Sequence, residues 1–223
     1  MSDHMRVVIA GGHGQIALEL ERLLSARGDS PVGLVRNPAH ADDLRAAGAE
    51  SVVCDLESIA ADELAGHLKN ADAVVFAAGA GPGSGTDRKD TVDRAAAVLL
   101  ADAAVLAGVR RYLLVSSMGV GRPLAAGSDE SWAAYMAAKT AAEEAVRGYD
   151  LDWTVLRPGG LTNDAPTGRV RLETPSTMRG TISRADVAAV LVSLLDAPAT
   201  AGLTLELIAG DDPIPDAVVA TRS

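Results

Sequence analysis

Short β-branched apolar runs alternate with longer Ala/Leu-rich helical patterns along almost the whole of this chain. The runs cover residues 5–11, 31–36, 51–56, 72–79, 110–117, 152–160 and 203–210, and the helical patterns cover 15–27, 39–47, 60–68, 88–107, 131–147 and 184–195. Parallel strands joined in sequence need a crossover, usually a helix, so the alternation predicts a mostly parallel sheet covered by helices. Leu18, Leu20, Leu23 and Leu24 are expected to form the buried face of the first helix, and Ser128 or Asp129 to cap the fifth. No composition break or short internal repeat divides the chain. The expected fold class is α/β: a single doubly wound, Rossmann-type domain over residues 1–223, with the polar segment 162–182 as a short C-terminal lid.

The first strand-to-helix turn reads "AGGHGQIA", although glycine is unfavourable in both elements that it separates. It fits G-x-G-x-x-A through Gly12, Gly14 and Ala17, and G-x-x-G-x-x-A from Gly11. In a doubly wound fold this turn faces the crevice where dinucleotides bind. Bare backbone lets a pyrophosphate approach, Ala17 keeps helix against strand, and the free N–H groups near Gln15 and Ile16 point at phosphate oxygens. His13, inside the turn, reads as a phosphate-loop side chain. No second His or Cys stands at ligand spacing from it, so no metal is expected.

The second run ends "GLVRNP", where an NAD site usually carries an acid for the ribose 2′-OH. Arg36 stands there with no acid beside it in the chain, and a guanidinium pairs bidentately with a 2′-phosphate. NADP(H) is therefore the expected cofactor and NAD(H) the alternative. Asp55 closes the third run within reach of the adenine edge, and Ala77, Ala78 and Gly79 close the fourth beside the adenosine ribose.

Tyr135 and Lys139 in "YMAAK" are four residues apart, on one face of a helix. A phenol can exchange a proton with a carbonyl oxygen while hydride moves, and a nearby ammonium favours the phenolate. The lysine can also hold a nicotinamide ribose. Ser116 and Ser117 end the fifth run at the same crevice, and Ser117 is the candidate to hydrogen-bond a substrate oxygen. The lone Cys54, in the apolar "SVVCDL", reads as a buried thiol in a reducing compartment. A formal net charge of −10 argues against a nucleic-acid partner. No apolar stretch approaches the ~18 residues of a membrane span and no signal peptide opens the chain, so a cytoplasmic protein without membrane contact is expected. Helices flanking such sheets often pair, which makes 88–107 the face to inspect for a homodimer.

Together "AGGHGQIA", "VRNP", "CDL", "VSSMG", "YMAAK" and "VLRPGGL" resemble the short-chain dehydrogenase/reductase superfamily. More narrowly they resemble its atypical, NmrA-like NAD(P)H-binding branch, which includes biliverdin-IX-beta/flavin reductases. The resemblance covers nearly the whole chain. It implies cofactor contacts at Gly11, His13, Gly14, Gln15, Ile16, Arg36, Asp55, Leu56, Ala77, Gly79 and Lys139, with Pro158, Gly159 and Gly160 against the nicotinamide. It also implies a small-molecule substrate over that ring, beneath the lid. Many members of the branch lack the tyrosine and work by positioning hydride alone.

The expected function is hydride transfer from NADP(H) to a small carbonyl, quinone or flavin-like molecule. The alternative is an NmrA-like, non-catalytic sensor of the NAD(P) pool. Sugar-nucleotide epimerases and dehydratases carry a larger C-terminal domain and V-Y-G after the serine pair, whereas this chain reads "SSMGVGR". That reading is the least supported of the three.

Overall fold

The computed structural model describes residues 4–79, 93–123, 127, 129–175 and 179–221. The first half of the chain holds β1 (Arg6–Ala10), α1 (Gln15–Arg27), β2 (Ser30–Val35), α2 (Ala41–Ala46), β3 (Glu50–Val53), α3 (Ala61–His67), β4 (Ala73–Phe76), α4 (Ala96–Ala107) and β5 (Arg111–Val115). The second half holds α5 (Glu130–Arg147), β6 (Asp152–Pro158), β7 (Gly160–Thr162), β8 (Arg169–Glu173), β9 (Thr181–Ser183), α6 (Arg184–Leu195), β10 (Leu203–Ala209), β11 (Asp212–Pro213) and α7 (Ile214–Ala220). Every expected strand and helix is present. The Gly-rich loop after β4, residues 88–92 of the expected long helix, and Ser128 lie outside the described residues. Asp129 takes the cap, its carboxylate accepting from the Trp132 N–H at 3.1 Å.

Nine strands form one sheet in the order β11-β8-β10-β6-β5-β4-β1-β2-β3. The seven from β3 to β10 run parallel, and β8 and β11 join antiparallel at the far edge. Alternation along β1 shows why both faces need cover. Val7 and Ile9 pack with Leu20 and Leu24 of α1 and with α6, while Val8 and Ala10 pack with Leu64 of α3 and Leu100 of α4. Strand order reverses between β1 and β4, so a crevice opens at the carboxyl ends of these strands, where ligands bind in such sheets. Among the described residues no helix is long and apolar enough to cross a membrane.

Two expectations are corrected. Segment 162–182 is not a continuous lid: Arg169–Glu173 is a strand of the main sheet, paired with β10, with Val170 and Leu172 turned into the core. Only its ends, near Leu161 and Arg179–Gly180, reach the crevice. On α1 the buried stripe is Ala17, Leu20, Glu21 and Leu24, while Leu23 is 39% exposed. Residues 17, 20, 21 and 24 follow the helical period, and that geometry carries a glutamate into the core.

Candidate functional site

The glycine turn does two separate jobs. Gly11 has φ +82°, and a Cβ on it would lie 2.6 Å from the Ala78 Cα; a Cβ on Gly12 would lie 2.7 Å from the Gly33 Cα of β2. These two glycines are bare because the end of β1 packs closely on its neighbours, a demand of the fold in addition to the approach of a pyrophosphate. Gly12 is buried away from the crevice. Gly14 is the residue before α1, which begins with no side-chain cap and no acid in its first turn. The first N–H groups of that helix remain available to an anion, as expected for Gln15 and Ile16. The Ile16 side chain itself packs on the core.

A cleft of about 400 Å³ follows, walled by Gly11, His13, Gly14, Arg36, Asp55, Leu56, Ala77, Ala78 and Gly79. Nine of the expected cofactor residues thus converge from the ends of β1 to β4. The tertiary structure adds Asn37, His40 and Glu57. Arg36 has an acid beside it after all: its Nη1 donates to the Glu57 Oε2 at 2.8 Å. The Asp55 side chain accepts from the Glu57 N–H at 3.0 Å, so the turn after β3 carries Glu57 across to the end of β2. His13 is 2.8 Å from an Asp43 carboxylate oxygen and stacks on His40, the ring centroids 3.6 Å apart. Cys54, although buried, belongs to the same wall. Burial, then Asp55 and Glu63, pushes its thiol up to about 11, which leaves it a poor nucleophile.

At the other end a cleft of about 690 Å³ gathers Ser117, Tyr135, Pro158, Gly159 and Gly160, all of them expected there. The two serines separate in role. The Ser116 Oγ donates to the Glu143 Oε1 at 2.5 Å and is buried, whereas Ser117 is half-buried on the cleft wall. Tyr135 also lines the cleft and stacks with Trp132 at 5.4 Å between ring centroids. Gly159 is bare because a Cβ there would meet the Gly180 carbonyl oxygen at 2.4 Å, so the β6 end and the approach to β9 close on each other.

Lys139 lies on neither cleft wall and is 4% exposed. Its ammonium donates to the Val115 carbonyl at 3.1 Å, pairs with Asp93 at 3.2 Å and sits 5.8 Å from the centroid of the Tyr135 ring. Asp93, itself buried, was missed from the sequence because nothing local distinguishes it.

A buried charge network also went unread. Glu143 accepts from Arg157 at 2.8 and 2.6 Å and from Arg147 at 2.6 Å, in addition to Ser116. Arg157 is paired in register with Glu206, whose carboxylate accepts from Arg122 at 2.7 and 3.0 Å. A signal existed for Glu143: it stands four residues beyond Lys139, on the face that Tyr135 and Lys139 share.

A family described as NAD(P)H-binding matches residues 11–198. The sequence is 35% identical over 219 residues to the "uncharacterized sugar epimerase" of Bacillus subtilis, covering 96% of this chain and 99% of that protein. A Bacillus halodurans structure, described provisionally as an NAD-dependent epimerase/dehydratase, is 35% identical and superposes with a TM-score of 0.89 over 97% of this chain and 99% of its own. The anaerobilin reductase of Escherichia coli O157:H7 is 27% identical, with a TM-score of 0.76 over 92% of this chain and 98% of its own.

Proposed function

The chain belongs to the NAD(P)H-binding family, and from that premise we propose that it is an NADP(H)-dependent oxidoreductase acting on a small carbonyl, quinone or flavin-like molecule. One observation carries the reading. The uncapped N-terminus of α1, with Arg36 in a cleft on one side and Ser117 with Tyr135 in a larger cleft on the other, supplies separate walls for the two ends of a dinucleotide. The α1 N–H groups take the pyrophosphate, Arg36 with Asn37 and His40 takes a 2′-phosphate, and Pro158–Gly160 flanks the nicotinamide. The reduced cofactor supplies hydride. Ser117 orients the acceptor oxygen, and Tyr135 delivers a proton to it when the acceptor is a carbonyl. Lys139, fixed by Asp93 and Val115, holds a positive charge beside that ring.

Side-by-side calorimetric titration with NADPH and NADH tests the cofactor assignment. NADPH is expected to bind more tightly, and Arg36→Ala to weaken NADPH by roughly tenfold or more while sparing NADH, since a charge-assisted pair contributes about 1.5–3 kcal/mol. Glu57→Gln is expected to tighten NADPH severalfold, because the 2′-phosphate no longer competes with a carboxylate for Arg36. Equal or better binding of NADH by the unaltered protein would sink the preference.

Tyr135→Phe tests the chemistry. Turnover of a ketone is expected to fall about a hundredfold at unchanged NADPH affinity, the lower range for loss of a positioned proton donor. A sensor of the cofactor pool would show no acceptor-dependent NADPH oxidation before or after the change. Sugar epimerisation would consume no cofactor overall.

A further inference from the structure

We infer that the substrate is a planar organic acid whose anionic group lies against Arg179 and Arg184; this rests on the oxidoreductase reading above. The chain carries a net charge of −10, yet the described residues lining the larger cleft include three arginines and no acid. The three differ in kind. Arg122 is balanced by the fully buried Glu206, which holds it as part of the wall. Arg184 donates to the neutral Asn163 Oδ1 at 2.7 Å and has no carboxylate within ion-pair distance among the described residues. Arg179 is exposed at the approach to β9, without an ion-pair partner among the described residues.

At the other cleft the arginine has its own acid, Arg36 with Glu57. A neutral ketone or quinone can accept an N–H bond from the guanidinium groups of Arg179 and Arg184 but leaves their charge unbalanced. A carboxylate accepts two parallel N–H bonds from one of them, and a concave wall concentrates their field. Trp132 and Tyr135 stack on the cleft wall with their ring planes 30° apart, and the exposed Trp132 offers an aromatic face on which such an acid's ring system can pack. Arg184 also lines a neighbouring cleft together with Gln15 and two acids, Glu19 and Asp164, so Arg179 is the more discriminating position.

The test is calorimetry on the NADP⁺-loaded protein with 2-naphthoate and its neutral isostere 2-naphthamide. Naphthoate is expected to bind at least about tenfold more tightly, the scale of one charge-assisted hydrogen bond. Arg179→Gln and Arg184→Gln should each remove most of that advantage without changing the affinity for naphthamide, and added salt should shrink it. Equal affinities, tighter naphthamide, no binding of either compound, or an advantage that survives both substitutions would overturn the inference. The same instrument first titrates NADP⁺ and NAD⁺. If neither binds, the oxidoreductase reading fails and the substrate class with it; if either binds without a preference for the acid, only the substrate class fails.

Discussion

Replacing Glu143 by alanine is expected to destabilise the protein by roughly 3–5 kcal/mol, the usual cost of stranding one partner of a buried ion pair. Its carboxylate takes four donors: Ser116, two nitrogens of Arg157, and Arg147. Arg147 is a third exposed on its side chain and can turn to water. Arg157 is 8% exposed and has no such escape, so its guanidinium is left desolvated against the sheet. Ser116 loses its acceptor at the same time. Urea unfolding measures the loss as a lower midpoint at unchanged slope. The control is Glu143→Leu combined with Arg157→Leu, which removes both charges and should recover much of the stability. If the alanine variant unfolds within about 1 kcal/mol of the unaltered protein, the network is not holding β5, β6 and α5 together.

Glu21→Met is expected to stabilise the protein, by an amount that grows with pH. Glu21 is fully buried on α1, its carboxyl lies over Gly12 and Gly33, and neither oxygen has a hydrogen-bond partner among the described residues. Burial pushes its pKa from the ordinary 4.5 up to about 8, against an opposing pull from Arg22. Between these values the unfolded chain has released a proton that the folded chain retains. Stability therefore falls as pH rises through that window, and below about 4.5 the penalty vanishes. The gain from methionine, an unbranched side chain of similar length, should be about 1 kcal/mol at pH 5 and on the order of 4 kcal/mol at pH 8. Unfolding curves at those two pH values decide the matter. A gain independent of pH would mean that the carboxyl finds charge compensation when folded.

The two cases show where periodicity reads well and where it misleads. Continuous apolar runs located the main-sheet parallel strands, most of which are covered on both faces, and the period-3.6 pattern located the helices between them. The same rule, applied by hydrophobicity alone, put Leu23 inside α1 and left Glu21 out, although position 21 lies within the helical stripe and position 23 on its margin. "RVRLE" alternates as a strand should, yet its charged residues allowed it to pass for a lid. Tyr135 and Ser117 were legible because their motifs end or begin regular elements that point into the crevice. Arg179 and Arg184 were not, since only the closure of β6 on the approach to β9 brings them there.

The sequence by itself determined the order of strands and helices, the position of the uncapped helix after Gly14, and the gathering of strand ends into one crevice. Local periodicity and crossover chirality leave little choice in these. Only the tertiary structure decided which charges meet. Glu57 reaches Arg36, Asp93 reaches Lys139, and Glu143 reaches Arg157, each from a different crossover. The latter two pairs form because a desolvated charge costs too much to stand alone, whereas the half-exposed Arg36 meets Glu57 because the turn after β3 carries that acid there.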